Sequence, residues 1–184
     1  MTELFLAMNE YDIRVRTEDE GRVPLAPLIN PHELSREGVV LREEGVVVRC
    51  ALVDHPPVTP AFAYRLDSPD RSIVSSGDTK RSDALIGLAQ GADVLVHEVL
   101  WPTAIDRLLA KAYNAAALKK SILSHHTAAE DVGRVAARAG VKTLVLSHFV
   151  PSEDPELTDE KWTEAVRRGG YNGPIIVGRD LLEI

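Results

Sequence analysis

Ala92-Asp93-Val94-Leu95-Val96-His97-Glu98 is an apolar run that ends on an imidazole and a carboxylate. Its β-branched residues predict a buried strand over Asp93–His97. The same pattern recurs along the chain. Val46–Val53 is followed by Asp54-His55, Ser72–Ser76 by Gly77-Asp78-Thr79, and Leu144–Ser147 by His148. Each motif sets a metal-binding or acid/base side chain at the end of an apolar strand. Strand ends along one rim of a sheet are where open α/β architectures build ligand crevices.

The segments around these motifs predict the rest of the architecture. In the first half, Tyr11–Arg16 and Ala61–Leu66 alternate apolar and polar residues and read as strands. Turn signals fall at Asn30-Pro31, Glu43-Glu44-Gly45, His55-Pro56-Pro57 and Ser68-Pro69-Asp70. In the second half the period changes. Asp83–Gln90 reads as a helix capped by Ser82 or Asp83, and Pro102–Leu118 as a longer one rich in Ala and Leu. Thr127-Ala128-Ala129-Glu130 has capping-box spacing and opens a helix that runs to Ala139 and stops at Gly140. Thr143–Ser147 is a strand, Glu160–Arg168 a helix and Pro174–Val177 a last strand. Strands first, then alternating β and α, predict an α/β sandwich with helices covering sheet.

With 184 residues, 45% of them apolar and 27% charged, the chain is long enough for one domain with a real core, taken as residues 1–184. No apolar run reaches the length of a membrane span, and the N-terminus lacks a signal-peptide layout. A single cysteine, Cys50, excludes an internal disulfide and fits a reducing compartment, so the expected location is cytoplasmic. The net charge of −7 gives no global footprint for nucleic acid. Lys80, Arg81 and the pair Lys119–Lys120 lie close in sequence to the motifs, and read as solvated surface. Trp101 and Trp162 read as packing residues, and Cys50 as a small buried hydrophobe.

Imidazole and carboxylate suit zinc, and manganese or iron tolerate the same set. Taken singly, a histidine at a strand end is usually a hydrogen-bonded structural residue. Gly-Asp-Thr also describes an ordinary turn, and His125-His126-Thr127 a helix cap. The combination in this order is far more specific than any member.

Ser76-Gly77-Asp78-Thr79, Ala92–Glu98, His126-Thr127 and Leu146-Ser147-His148-Phe149 together resemble the second half of ribonuclease Z and arylsulfatase-like proteins of the metallo-β-lactamase fold. Val53-Asp54-His55-Pro56-Pro57 and Ala61–Arg65 fit the stretch before it. The resemblance implies a metallo-β-lactamase-like αββα sandwich and a zinc-dependent hydrolase, with two ions in a complete family member. It assigns His55 and His148 as metal ligands and Asp78 as a carboxylate bridging both ions. His97 and Glu98 would support the site by proton transfer or hydrogen bonding, and His126 would stabilise charge on the scissile group, with His125 as its alternative.

The first-half signature of that family, His-x-His-x-Asp-His, is absent; His32 is the only histidine before His55. The expectation is therefore a fold whose N-terminal half is missing, a fragment probed best by its metal content. A segment too short for a tRNA-gripping arm separates His55 from Asp78, so a small-molecule or nucleotide ester is expected ahead of pre-tRNA. The expected reaction is hydrolysis of a phosphodiester or sulfate ester by a metal-activated hydroxide, with this chain incomplete or inactive by itself. The alternative is a non-catalytic remnant or interaction module of the same fold, which would expose apolar surface on its unpacked face. A homodimer that completes the site is a further expectation, and an unrelated α/β binding protein the remaining reading.

Overall fold

The computed structural model describes residues 2–184, in two compact units that end and begin at Ser35 and Arg36. The first unit holds two short helices, α1 (Thr2–Met8) and α2 (Glu10–Glu18), and a 3₁₀ turn at Ala26–Leu28, with no buried residue in any of them. Tyr11–Arg16, expected as a strand, lies inside α2. Six alternating residues span less than two helical turns, too few to separate the two periods. The decisive spacing is four: Arg16 pairs with Asp12 at 3.2 Å and with Glu20 at 3.3 Å, neighbours only on a helix.

The second unit is a seven-stranded sheet whose spatial order follows the chain. β1 (Gly38–Glu43), β2 (Val46–His55), β3 (Val58–Asp67) and β4 (Ser72–Ser75) pair antiparallel, and β4 then begins a parallel run through β5 (Val94–Leu100), β6 (Thr143–Val150) and β7 (Ile175–Val177). Glu44 and Gly45 close the first hairpin with φ of 47° and 83°, the left-handed pair that a two-residue turn requires. β1 escapes a sequence reading because all six of its residues are exposed and show no alternation.

Three helices cross over the parallel strands: α3 (Asp83–Leu88), α6 (Ala129–Ala139) and α7 (Asp159–Arg168). Leu85, Val132, Val135, Trp162 and Val166 from these helices pack on Ala63, Val74, Leu95, Leu144 and Leu146 of the sheet. Full burial of each such Leu or Val is worth about 1.5–3 kcal/mol, which makes this face the main source of stability. The other face of β2 and β3 is only partly covered: Leu52 is 39%, Tyr64 39% and Leu66 38% exposed, whereas Cys50 among them is buried.

Two helix expectations change. Pro102–Leu118 is not one helix: a 3₁₀ turn at Pro102–Ala104 leads into α4 (Ile105–Leu108), and α5 (Ala115–His125) starts after a corner. The corner folds Ile105 and Leu109 back on Leu100, with Ala115, Leu118 and Ile122 of α5 against them. Packing overrides the helix propensity of the alanines. Thr127 does not cap α6, whose N-cap is Ala128. Its hydroxyl instead donates to the Thr79 carbonyl at 2.6 Å.

Candidate active site

The polar strand ends converge as expected. The loop after β4 carries Asp78, and its shape depends on Gly77, with φ of 58°. A Cβ there would also sit 2.9 Å from the Phe62 carbonyl oxygen. The loop is pinned on both sides. Lys80 N donates to the Asp54 carbonyl at 2.9 Å, and the Ser76 hydroxyl accepts from Glu98 N at 3.0 Å.

So held, Asp78 points one carboxylate oxygen between two imidazoles. Oδ2 lies 4.0 Å from His55 Nε2 and 3.4 Å from His148 Nε2. His148 is aimed by its backbone. The pairing of β5 and β6 steps from Glu98↔Ser147 to Val99↔Phe149, so His148 is the extra residue of a bulge. Its φ is 43°, a left-handed conformation that costs a non-glycine residue about 1–3 kcal/mol and persists where the surroundings impose it.

Glu98 is 2% exposed. Its Oε1 accepts from Thr127 N at 2.7 Å and Thr79 N at 3.4 Å. Its Oε2 lies 3.3 Å from His126 Nδ1, close enough for an ion pair but outside hydrogen-bond alignment. One buried carboxylate therefore ties together the Asp78 loop, the start of α6 and an imidazole. Ser76, Thr79 and Thr127, which provide this support, were missed from the sequence. The only signal was that they flank Asp78 and His126.

His55, Asp78, Glu98, His126 and His148 thus share one region. His97 does not join them: neighbours on a strand point to opposite faces, and His97 is 0% exposed. Its Nδ1 lies 2.7 Å from the Glu98 carbonyl oxygen, so this nitrogen carries the proton, and Nε2 has no partner. Burial holds the ring well below its ordinary value of 6.5, against the opposing pull of Glu98. The native state therefore keeps His97 neutral while the unfolded chain takes up a proton below about pH 6.5. The stability this provides is present above that pH and drains as pH falls through it, by up to about 1.4 kcal/mol per pH unit. In urea titrations with a chelator present, the wild-type midpoint should fall between pH 7 and pH 5.5 more steeply than that of His97→Asn. Parallel curves would contradict a neutral, buried His97.

His125, the last residue of α5, stands closer to the group than a mere alternative to His126 implies. Its ring centroid is 4.6 Å from that of His55 and 4.7 Å from that of His126. Burial, then the neighbouring His126 and His55, hold its pKa down.

No protein-family model matches the chain. A Mycobacterium tuberculosis (strain CDC 1551 / Oshkosh) protein assigned as a ribonuclease Z is 35% identical over 171 residues, 93% of this chain and 72% of its own length. The ribonuclease Z of M. tuberculosis (strain ATCC 25177 / H37Ra) is likewise 35% identical, and here the chain spans 59% of the relative. Among solved structures, the metallo-β-lactamase fold protein YhfI of Bacillus subtilis superposes with a TM-score of 0.57 at 16% identity, over 80% of this chain and 52% of that one. The sheet, its helical cover and the sequence likeness agree: the chain belongs to the ribonuclease Z family and has the metallo-β-lactamase fold.

Proposed function

We propose that this chain carries the carboxylate-centred metal site and the proton-handling pair of a metal-dependent phosphodiesterase. The observation that carries the reading is the Asp78 carboxylate oxygen placed 4.0 Å and 3.4 Å from two imidazole nitrogens, with the Glu98–His126 pair alongside. The donor set fits a zinc-like ion. At metal–ligand distances of about 2.0–2.2 Å, two ligand atoms on one tetrahedral ion lie roughly 3.4 Å apart, which is the Asp78–His148 spacing. His55, Asp78 and His148 would hold such an ion; zinc is favoured, and manganese or iron suits the same donors. When bound, a divalent cation supplies Lewis acidity and makes a water nucleophilic near neutral pH.

The chain's own residues do the rest. Glu98 holds the His126 ring at its Nδ1 side, leaving the other nitrogen to meet charge developing on the ester oxygen. His97 acts as a positioning residue, fixing the Glu98 backbone through its Nδ1. The relatives' name, ribonuclease, favours an RNA phosphodiester over a sulfate ester as substrate class. No helix among the described residues is long and apolar enough to cross a membrane.

The test is hydrolysis of bis(p-nitrophenyl) phosphate with zinc or manganese. Asp78→Ala should lower metal-dependent turnover on the order of 100-fold or more, with the fold intact by circular dichroism. Turnover that survives this substitution rules the reading out. The part-exposed Leu52, Tyr64 and Leu66 favour a second reading, an interaction module without chemistry. That reading predicts a folded chain that is inert with either metal.

A further inference from the structure

The backbone turns sharply between two adjacent histidines. His125 is the final residue of α5, whereas His126 is extended, with φ of −120° and ψ of 160°. A helical residue followed by an extended one can present both side chains to one side, and these two rings stand 4.7 Å apart. His55, at the end of β2, completes a triangle, 4.6 Å from the His125 ring and 5.8 Å from the His126 ring. We infer that His55, His125 and His126 form a three-imidazole site for a borderline divalent cation such as zinc or cobalt, distinct from the Asp78-centred arrangement.

The geometry is close to what such an ion needs. One ligand atom from each ring lies within 4.8 Å of the other two. A point equidistant from three atoms at that spacing is at most about 2.8 Å from each, against about 2.0–2.1 Å for a Zn–N bond. Each nitrogen must move inward by roughly 0.7 Å, within reach of a small rotation about the broad terminal torsion of histidine. His55, Asp78 and His148 do not form such a mutually close trio; among the described residues, the three histidines do.

Two further observations point to a ligand. Nδ1 of His125 is buried without a hydrogen-bond partner. Buried polar atoms are almost always satisfied, so this orphan calls for an explanation. His126 also has Glu98 Oε2 3.3 Å from its Nδ1, the carboxylate–imidazole arrangement that orients metal-binding histidines. Three nitrogen donors without a thiolate select zinc, cobalt, nickel or copper over magnesium and calcium.

This goes beyond the proposed function, and its inhibitory consequence rests on that reading. The two metal sites share His55, and a cation held by the three imidazoles also takes His126 away from the ester oxygen. Excess zinc then acts as an inhibitor through a residue, His125, that has no part in the reaction itself.

The experiment is a titration of the metal-free 184-residue chain with Co²⁺, followed by its visible absorption. The first equivalent should give the intense bands of a four-coordinate site. His125→Gln should weaken that equivalent by at least about 10-fold, whereas His148→Gln should leave it within about 3-fold of wild type. A Zn²⁺ titration of the wild-type chain, read on the imidazole ¹⁵N shifts, makes the same distinction without a substitution. His55, His125 and His126 should move first and His148 last. If His148 and Asp78 variants lose the first equivalent while His125→Gln binds as wild type, the inference falls and the proposed function stands. A wild-type chain that binds neither metal overturns both.

Discussion

Replacing Glu98 with alanine is expected to destabilise the protein by about 3–5 kcal/mol, the range found when one partner of a buried charged network is removed. The carboxylate accepts from Thr127 N at 2.7 Å and Thr79 N at 3.4 Å. Without it both amides are buried and unpaired, at about 1–3 kcal/mol each. For a chain of this size the loss corresponds to a fall in Tm of roughly 6–20 °C. Glu98→Gln retains an acceptor of the same shape and should cost less than half as much. A Glu98→Ala protein within about 1 kcal/mol of wild type in urea denaturation would show that the two amides find other partners, and that Glu98 is not the tie described.

The second large effect is expected at the crossing of α6 and α7. Gly133 faces the Val166 carbonyl and the Gly169 backbone so closely that a Cβ would overlap the main chain of α7 and its C-cap. Two physical terms oppose each other when alanine is placed there. Helix propensity favours the change by about 1 kcal/mol, but overpacking against backbone costs about 1–3 kcal/mol or more, because neither helix can yield without moving the core beneath it. Overpacking wins, and Gly133→Ala should lose about 2 kcal/mol net. Gly87, in α3, provides the control: a Cβ there meets nothing within 4 Å. Gly87→Ala should gain up to about 1 kcal/mol through propensity alone. Two identical substitutions of opposite sign, measured as urea midpoints, separate packing from propensity. Equal midpoints would refute the close approach.

Much of the fold was legible because β2, β4, β5 and β6 bury apolar runs that end on polar residues, and those endings mark the rim. What was not legible depends on tertiary packing. β1 has no buried face to impose a pattern. The spacing Thr127-x-x-Glu130 matches a capping box, yet Thr127 is drawn to Thr79 and Glu98 instead. At the site, His55, Asp78, Glu98, His126 and His148 are brought together by strand ends that the sequence marks. His97 and Glu98 could not both face that region, since strand neighbours alternate. Sequence alone does not say which one points inward, and here it is Glu98. His125 was read only as the alternative to His126 for a different reason: its position depends on where α5 ends, and the corner after Leu109 moved that end to His125.

The strand order also governs how the protein assembles. Because each strand pairs with its predecessor in the chain from β1 to β7, no strand has to be inserted between two that are already joined. Every new strand meets an edge formed just before it; the loop to be closed is shortest in the hairpins and longest between β5 and β6, and closure entropy grows only with the logarithm of loop length. The sheet can therefore grow in the order of synthesis. The hairpins of β1 to β4 would form on the ribosome as a template, and the helices would be laid down over the parallel strands as each one docks.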